Sequence, residues 1–340
     1  DAARKFFRAL DRIASARASA NQKVASLLNE TSADFRLFID IQLQTFAQRS
    51  SSECTTSQAA AVMNAVRTGM WAIDGSGQAL ADRLAESFKT SGGALRLNSP
   101  VLRLAYAADG EPVGIDLLSG ERVFATRAII SNLPVWDTYG KLIGLSRTPR
   151  SISSALRNSH AWGAYLMFLG MDSSAGERLP GDRILVVTEK TEEAYAADRQ
   201  QLVVNISPAS GAHAPEGKLA VTVSAFTEAE GWFSFHEDES AHDSQDQATL
   251  ETCWTKLHAA MPELGDAVEV IETATPQTFY ESTRRKFGMV GAPSGLDNPP
   301  SLGLTPFPNL FLVGDTVSNG LGLEGIAQSA LDLASFLTKT

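Results

Sequence analysis

Cysteine is nearly missing from this chain: only Cys54 and Cys253 occur in 340 residues, far apart. So small a number excludes a disulfide framework and a cysteine zinc knuckle, and it fits a reducing compartment. For each thiol the simple role is an inert buried side chain, and the alternative is a reactive one. Long apolar runs are missing too. No stretch of 18 apolar residues appears, so no segment reads as a membrane-spanning helix, and the first residues lack the apolar core of a secretory signal. Positive charge is in deficit, with 29 Lys and Arg against 39 Asp and Glu and a net charge of −10. That balance argues against nucleic acid as a general partner. No internal repeat is present, and no Ser/His/Asp or Cys/His set has a supporting motif. What remains is an ordinary globular composition, 44% hydrophobic and 20% charged, long enough for two domains.

Residues 1–28 read as one helix. Phe6, Phe7, Leu10, Ile13 and Ala14 recur at helical spacing, with Arg4, Lys5, Arg8, Arg12 and Arg17 between them. Residues 1–25 hold six basic and two acidic side chains, a local +4 in an acidic protein. Such a face suits an anionic bilayer; it equally suits a helix docked by its apolar side with a solvated charged side. Further helices are expected at 33–49, 57–69 (opened by the capping run 55–57), 78–90, 149–157 and 246–260. Short strands are expected at 94–98, 101–107, 112–118 and 121–125, with Asp109-Gly110 and Ser119-Gly120 as hairpin turns. A buried strand follows at 128–131, and Pro134 opens a helix. Beyond 149, strands at 161–171, 183–188, 201–207 and 217–227 suggest a mostly antiparallel sheet. Trp162, Ala164, Leu166 and Phe168 alternate as in a half-buried strand.

The stretch from His236 to Asp243 (HEDESAHD) has metal-compatible ligands. It is continuous and acidic, though, and reads as a solvated charge run before the helix 246–260; no metal site is expected. His258 is expected on the surface of that helix.

The most informative segment is 309–330, NLFLVGDTVSNGLGLEGIAQSA. An apolar strand ends on Gly314-Asp315, and a glycine-punctuated turn opens the last helix. Gly320, Gly322 and Gly325 spell G-x-G-x-x-G, but that fingerprint requires a second strand and an acid about 20 residues on, and the sequence stops at Thr340. Backbone amides at a helix N-terminus can face an anion or a polar ring edge, and Asp315 could accept a sugar hydroxyl proton. Equally, the glycines could serve tight packing alone, with Asp315 a turn residue. Glu324, in the first turn, suits the helix N-terminus.

Four segments in order carry a resemblance. They are 309–330; 69–84 (GMWAIDGSGQALADRL); 101–104 followed by a hairpin and 128–134 (AIISNLP); and 274–288 (ATPQTFYESTRRKFG). Together they cover most of the chain and resemble the phytoene desaturase and carotenoid isomerase family, FAD oxidoreductases with an amine-oxidase-like fold. The resemblance implies an α/β (α+β) fold: an incomplete two-domain FAD/NAD(P)-binding flavoprotein fold with an antiparallel-sheet substrate domain and a helical cap. It divides the chain into 1–75, helical and substrate- or membrane-facing; 76–148, the middle piece of the FAD domain; 149–274, the substrate domain; and 275–340, the last piece of the FAD domain. It implies FAD as cofactor. Gly314 and Asp315 would serve its ribityl and diphosphate region, Gly322, Leu323 and Ile326 the pyrimidine edge of the ring, and Val101 the adenine.

The family implies a polyene substrate, desaturated or isomerised, in a cytoplasmic or plastid-type compartment with peripheral membrane contact. Trp162, Tyr165, Met167 and Phe168 are candidates to line its cavity. Hydride chemistry of this kind belongs to the cofactor, so no catalytic side chain is named. Complete members open with a strand and a Gly-x-Gly-x-x-Gly turn, which the residues from Asp1 onward do not contain. The expectation is therefore the C-terminal two-thirds of a longer flavoprotein, with the remaining segment of the same protein as a partner. An amine-oxidase-type enzyme and a non-catalytic isoprenoid or lipid carrier stay open as alternatives.

Overall fold

The computed structural model describes residues 2–16, 22–47, 49–69, 71, 73, 75–158, 160–187, 201–207, 213–233, 238–265, 267–294, 303, 305–317 and 322–339. They form two compact units: Asp1–Gly69 with Leu95–Ala161 and Gly291–Thr340, and Met70–Ala94 with Trp162–Val290. Divisions thus fall at 69, 94, 161 and 290.

In the first unit, α1 (Ala2–Ala16), α2 (Ala33–Ala47) and α3 (Thr56–Thr68) enclose a core of Phe6, Leu10, Val24, Leu28, Ile39, Leu43 and Met63. The apolar side of α1 is spent there, with Phe6 and Leu10 only 2% and 3% exposed. The single helix expected over 1–28 is not formed. Val24–Leu27 is a separate 3-10 turn, because the Val24 and Ala25 amides donate to Cys54 O and Ser51 O of a neighbouring loop. α3 starts with a full capping box, in which Thr55 Oγ1 accepts from the Gln58 amide and Gln58 Oε1 from the Thr55 amide. Cys54 and Cys253 are both free and buried. Burial raises their thiols to about 12 and about 11, which keeps them protonated and inert.

β1 (Val101–Tyr106), β2 (Pro112–Leu117) and β3 (Arg122–Phe124) form an antiparallel sheet turned at Gly110 and Gly120. The strand expected at 94–98 does not form. Asn98 takes φ +53, and Arg96 reaches this sheet by its side chain, donating to both carboxylate oxygens of Glu121 at 3.0 and 2.6 Å. On β2, Asp116 accepts from Arg122 at 2.6 Å and from Arg103 at 2.9 Å.

β4 (Ile129–Ser131) pairs in parallel with β11 (Leu310–Leu312). Pro134 then caps α5 (Val135–Asp137), which runs on as a π-helical segment, Thr138–Gly144, before α6 (Arg150–Asn158). α10 (Gly322–Lys339) is the last helix.

The second unit contains α4 (Ser76–Thr90), α7 (Ser173–Gly176) and an antiparallel sheet of β5 (His160–Asp172), β8 (Lys218–Glu228), β7 (Gln201–Ile206) and β6 (Arg183–Val187), in that order, with β9 (Val268–Ala274) also on β5. β10 (Val290–Ser294) carries the chain back to the first unit. One face of the sheet packs beneath α8 (Glu239–Ala260); Tyr165, Met167, Leu169 and Met171 meet Cys253, Leu257 and Met261 there. Tyr165 and Thr273 hydroxyls both donate to Asp246 on that helix, at 2.6 and 2.7 Å. α8 begins earlier than the expected residue 246, because the Asp238 side chain accepts from the Ser240 and Ala241 amides. His242 therefore sits on a helix, 3.2 Å from Thr275 Oγ1, and no metal-ligand cluster occurs among the described residues. His236 lies outside them. His258 is exposed, as expected. α9 (Pro276–Thr283) follows β9.

Asp116 gives a pH test. Hydrogen bonds from Arg122 and then Arg103 lower its carboxyl from the ordinary 3.8 to about 2. A depressed folded-state value means the contribution is complete above the ordinary value and disappears as pH falls through about 2. The melting-temperature gap between wild type and Asp116→Asn is expected to hold steady from neutral pH to about 5 and to close near pH 2. A gap independent of pH would contradict the assignment. In the helical core, Phe6→Ala is expected to cost about 3–5 kcal/mol in urea unfolding.

Candidate functional site

In open α/β sheets ligands gather beyond the carboxyl ends of parallel strands. Here those ends are Ser131 and Leu312, directly opposite each other in the β4–β11 ladder. The chain beyond β4 is Asn132-Leu133-Pro134; beyond β11 it is Val313-Gly314-Asp315-Thr316. Val313 N–H still donates to Ser131 O at 2.9 Å, which extends the pairing by one residue. Thr316, 3% exposed, accepts the Val135 amide on Oγ1 at 3.1 Å. Ser131 Oγ and Thr138 Oγ1 share a buried hydrogen bond of 2.9 Å. The Thr316 hydroxyl fastens the two strand exits together, and the Ser131–Thr138 pair holds the β4 exit to its own helix. The expectations at 309–330 did not include Ser131, Thr138 or Thr316, which are isolated hydroxyl residues at the end of β4, in the following helix and four residues past β11.

Gly314 has φ +121, in the region L side chains rarely adopt, and a Cβ there would lie 3.6 Å from Asn132 O. It turns the chain so that Asp315, half-buried, follows at the strand exit. Gly322 opens α10 at φ +57, and a Cβ on it would meet nothing within 4 Å. Leu323 is exposed, Ile326 half-buried and Gly325 buried. α10 is held by its other end. Leu333 is buried, Phe336 sets its ring edge-on against Phe311 of β11 at 6.0 Å, and Arg127 donates to Leu337 O. Gly322, Leu323 and Glu324 of the first turn are exposed, at the end of α10 away from these contacts. Gly320 lies outside the described residues. Val101 opens β1 at a bulge opposite Leu117, on a different sheet from Gly314. The site residues therefore fall into three places: a strand exit, a helix start and a sheet edge.

Two buried polar atoms lie just past β4. Trp136 Nε1 and Tyr139 Oη have no hydrogen-bond partner among the described residues, and burial raises the Tyr139 phenol to about 12. On the second unit's sheet, alternation splits the cavity candidates. Tyr165 and Met167 are core residues beneath α8, whereas Trp162 and Phe168 belong to the opposite face, where Phe168 is 41% exposed.

This arrangement of strand exits and a final helix matches known proteins along nearly its whole length. The chain belongs to the flavin containing amine oxidoreductase family, whose sequence model matches residues 7–335. It is 24% identical over 352 residues to an all-trans-retinol 13,14-reductase of Danio rerio, covering 94% of this chain and 58% of that protein. It is 25% identical over 265 residues to a chloroplastic prolycopene isomerase of Arabidopsis thaliana, covering 74% of this chain and 43% of that protein. The chain thus spans about half the length of these relatives. Among solved structures, an oxidoreductase from Methanosarcina mazei superposes with a TM-score of 0.68 at 16% identity, over 97% of this chain and 72% of that one. A putrescine oxidase bound to putrescine superposes with a TM-score of 0.60 at 15% identity, over 98% and 76%. The expected fold class is present, and so is the family the four motifs resembled.

Thr316→Val removes the acceptor of a buried amide and is expected to cost about 1–3 kcal/mol, with Thr316→Ser close to wild type. Equal urea midpoints for Thr316→Val and wild type would show that the hydroxyl does not fasten the exits.

Proposed function

We propose that the complete protein is an FAD-dependent oxidoreductase that desaturates or isomerises a carotenoid-type polyene. The observation that supports it best is family membership joined to the placement of Gly314, Asp315 and Gly322 at a parallel-strand exit and an exposed helix start. These residues fit a flavin. The open space at Gly322 lets a ring edge approach the backbone amides of α10, and Asp315 can accept hydrogen bonds from hydroxyls. Val101 would meet the adenine by its backbone. When bound, the flavin supplies two-electron chemistry as hydride acceptor and donor. The names of the retinol reductase and prolycopene isomerase relatives favour a polyene over an amine.

A polyene is neutral and apolar, so the protein's work is to bind it, orient it and keep water away. The sheet face bearing Trp162, Leu166 and Phe168 is of mixed character, because Glu228, Ser224 and Thr222 of β8 lie opposite these three residues and Glu272 of β9 also faces Phe168. Glu324 serves the helix N-terminus rather than the chemistry.

The same reading assigns a partner to the strand pair. Parallel sheets normally have both faces covered, yet Ile130 of β4 is 51% exposed, as are Leu323 and Leu331 of α10 at 57% and 62%. A further segment of the same protein, with the Gly-x-Gly-x-x-Gly turn that holds the FAD diphosphate, would cover them and complete the site.

In the full-length protein, Asp315→Ala is expected to weaken FAD retention about tenfold or more. Purified without the further segment, the 340-residue chain is expected to bind little FAD. Stoichiometric flavin in the short chain, or unchanged flavin in the variant, would contradict the cofactor assignment. Incubation with polyenes in detergent, followed by chromatography, should show altered double-bond number or geometry. Oxidation of amines with no polyene conversion would transfer the protein to the amine-oxidase reading, and flavin-free full-length protein to the carrier reading.

A further inference from the structure

Within the second unit, α8 and the strands β7 and β8 bound a cavity of about 310 Å³, at the lower end of the size range of small-molecule sites. Neither the flavin nor the polyene reading uses it. One stripe of α8 borders it: Gln245, Thr249, Thr252 and Lys256 follow at spacings of four, three and four. The stripe that a helix turns to a sheet is ordinarily apolar, yet here only Ala248 and Cys253 of the helix lining are so. Ala248 and Thr252 are exposed, so the cavity opens to solvent beside the helix. Its buried end is formed by the stacked rings of Tyr165 and Trp232, 5.7 Å apart and each 1% exposed.

The hydroxyls of the wall have settled directions. Thr249 and Thr252 donate back into the helix, to Gln245 O at 2.8 Å and Ala248 O at 2.9 Å, which leaves their oxygens as acceptors. Thr227 Oγ1 accepts the Trp232 indole N–H at 3.0 Å and keeps its own proton to give. Charge in the wall has one sign, since Lys256 is the one charged side chain among the described lining residues. Asp246, on the same helix, is occupied by the Tyr165 and Thr273 hydroxyls at 2.6 and 2.7 Å. Burial raises the Cys253 thiol and the Lys256 ammonium opposes that rise, so the positive charge is felt inside the cavity.

We propose that this cavity is a binding site for a planar aromatic monocarboxylate that carries one N–H or O–H donor. The carboxylate pairs with Lys256, the ring extends toward Tyr165 and Trp232, and its donor meets the Thr249 oxygen. Each part answers one feature of the wall: a lone cation, an aromatic end and outward-facing acceptors between them. The site lies on the α8 side of the sheet, and the inference is independent of the flavin reading.

The test is calorimetric titration of the full-length protein with indole-3-acetate. Saturable one-to-one binding is expected. Indole, which lacks the carboxylate, should bind about tenfold or more weakly, and 1-methylindole-3-acetate, which lacks the donor, about fivefold more weakly. Lys256→Met keeps the stem and removes the charge, and should weaken binding about tenfold or more. Ala248→Leu, which fills the opening, should abolish it. Flavin content and unfolding midpoint should match wild type in Lys256→Met, because the side chain is only half-buried and its loss leaves the core intact. Absence of saturable binding by wild type, undiminished binding by either variant, or parity of either control ligand with indole-3-acetate would overturn the proposal.

Discussion

Three residues of β4 lie in parallel register with three of β11, and the candidate site exists only because they do. Neither triplet has a local partner to dictate its position. The pairing is held by burial of Leu310, Phe311 and Leu312, all under 5% exposed, and by polar fastening just beyond the ladder. The Thr316 hydroxyl accepts the Val135 amide, which ties the β11 exit to the β4 exit, while the Ser131–Thr138 hydrogen bond steadies the β4 exit itself. From that point Gly314 turns the backbone and sets Asp315 at the exit. α10, clamped at its far end by Phe336 and Leu333, offers its first turn. The flavin reading depends on this order of events: burial first, hydroxyl fastening second, an exposed first helical turn last.

What was legible in the sequence was chemistry confined to neighbours. Asp109-Gly110 and Ser119-Gly120 are hairpin turns in the structure, and Thr55 does cap its helix, because each is decided within four residues. Alternation in β5 showed two faces but not which was buried; α8 decides that, placing Tyr165 and Met167 under it and leaving Phe168 outside. Competition for backbone groups was invisible. The loop at Ser51–Cys54 captures amides that a continuous first helix would have used, and Asp238 starts α8 a full two turns early. The parallel partner of β4 could not be read from any local pattern. Ser131 and Thr316 were hidden for the opposite reason, since a hydroxyl after an apolar triplet is common and gains meaning only from the residue it meets.

Arginine is used in two opposed ways here. On the β1–β3 sheet, Arg103 and Arg122 close on one carboxylate and are neutralised in place. On α1, Arg4, Lys5, Arg8 and Arg12 are exposed and have no salt bridge among the described residues, while Asp11 of the same helix pairs with Arg67. Surface pairs of the first kind contribute little to stability beyond their geometry. An array of the second kind opposes itself, and its cost is small because solvent screens it.

The separation of β4 from β11 also imposes a schedule on biosynthesis. Residue 131 has left the peptidyl-transferase centre long before residue 310 is made, and at about 5–20 residues per second the interval is roughly ten to forty seconds. Throughout it Ile129–Ser131 is a strand awaiting its mate, and no rearrangement of the nascent chain can supply one. Such non-local closure makes folding slow and leaves an adhesive edge exposed. The polypeptide is therefore most dependent on chaperones in the interval between translation of β4 and translation of β11.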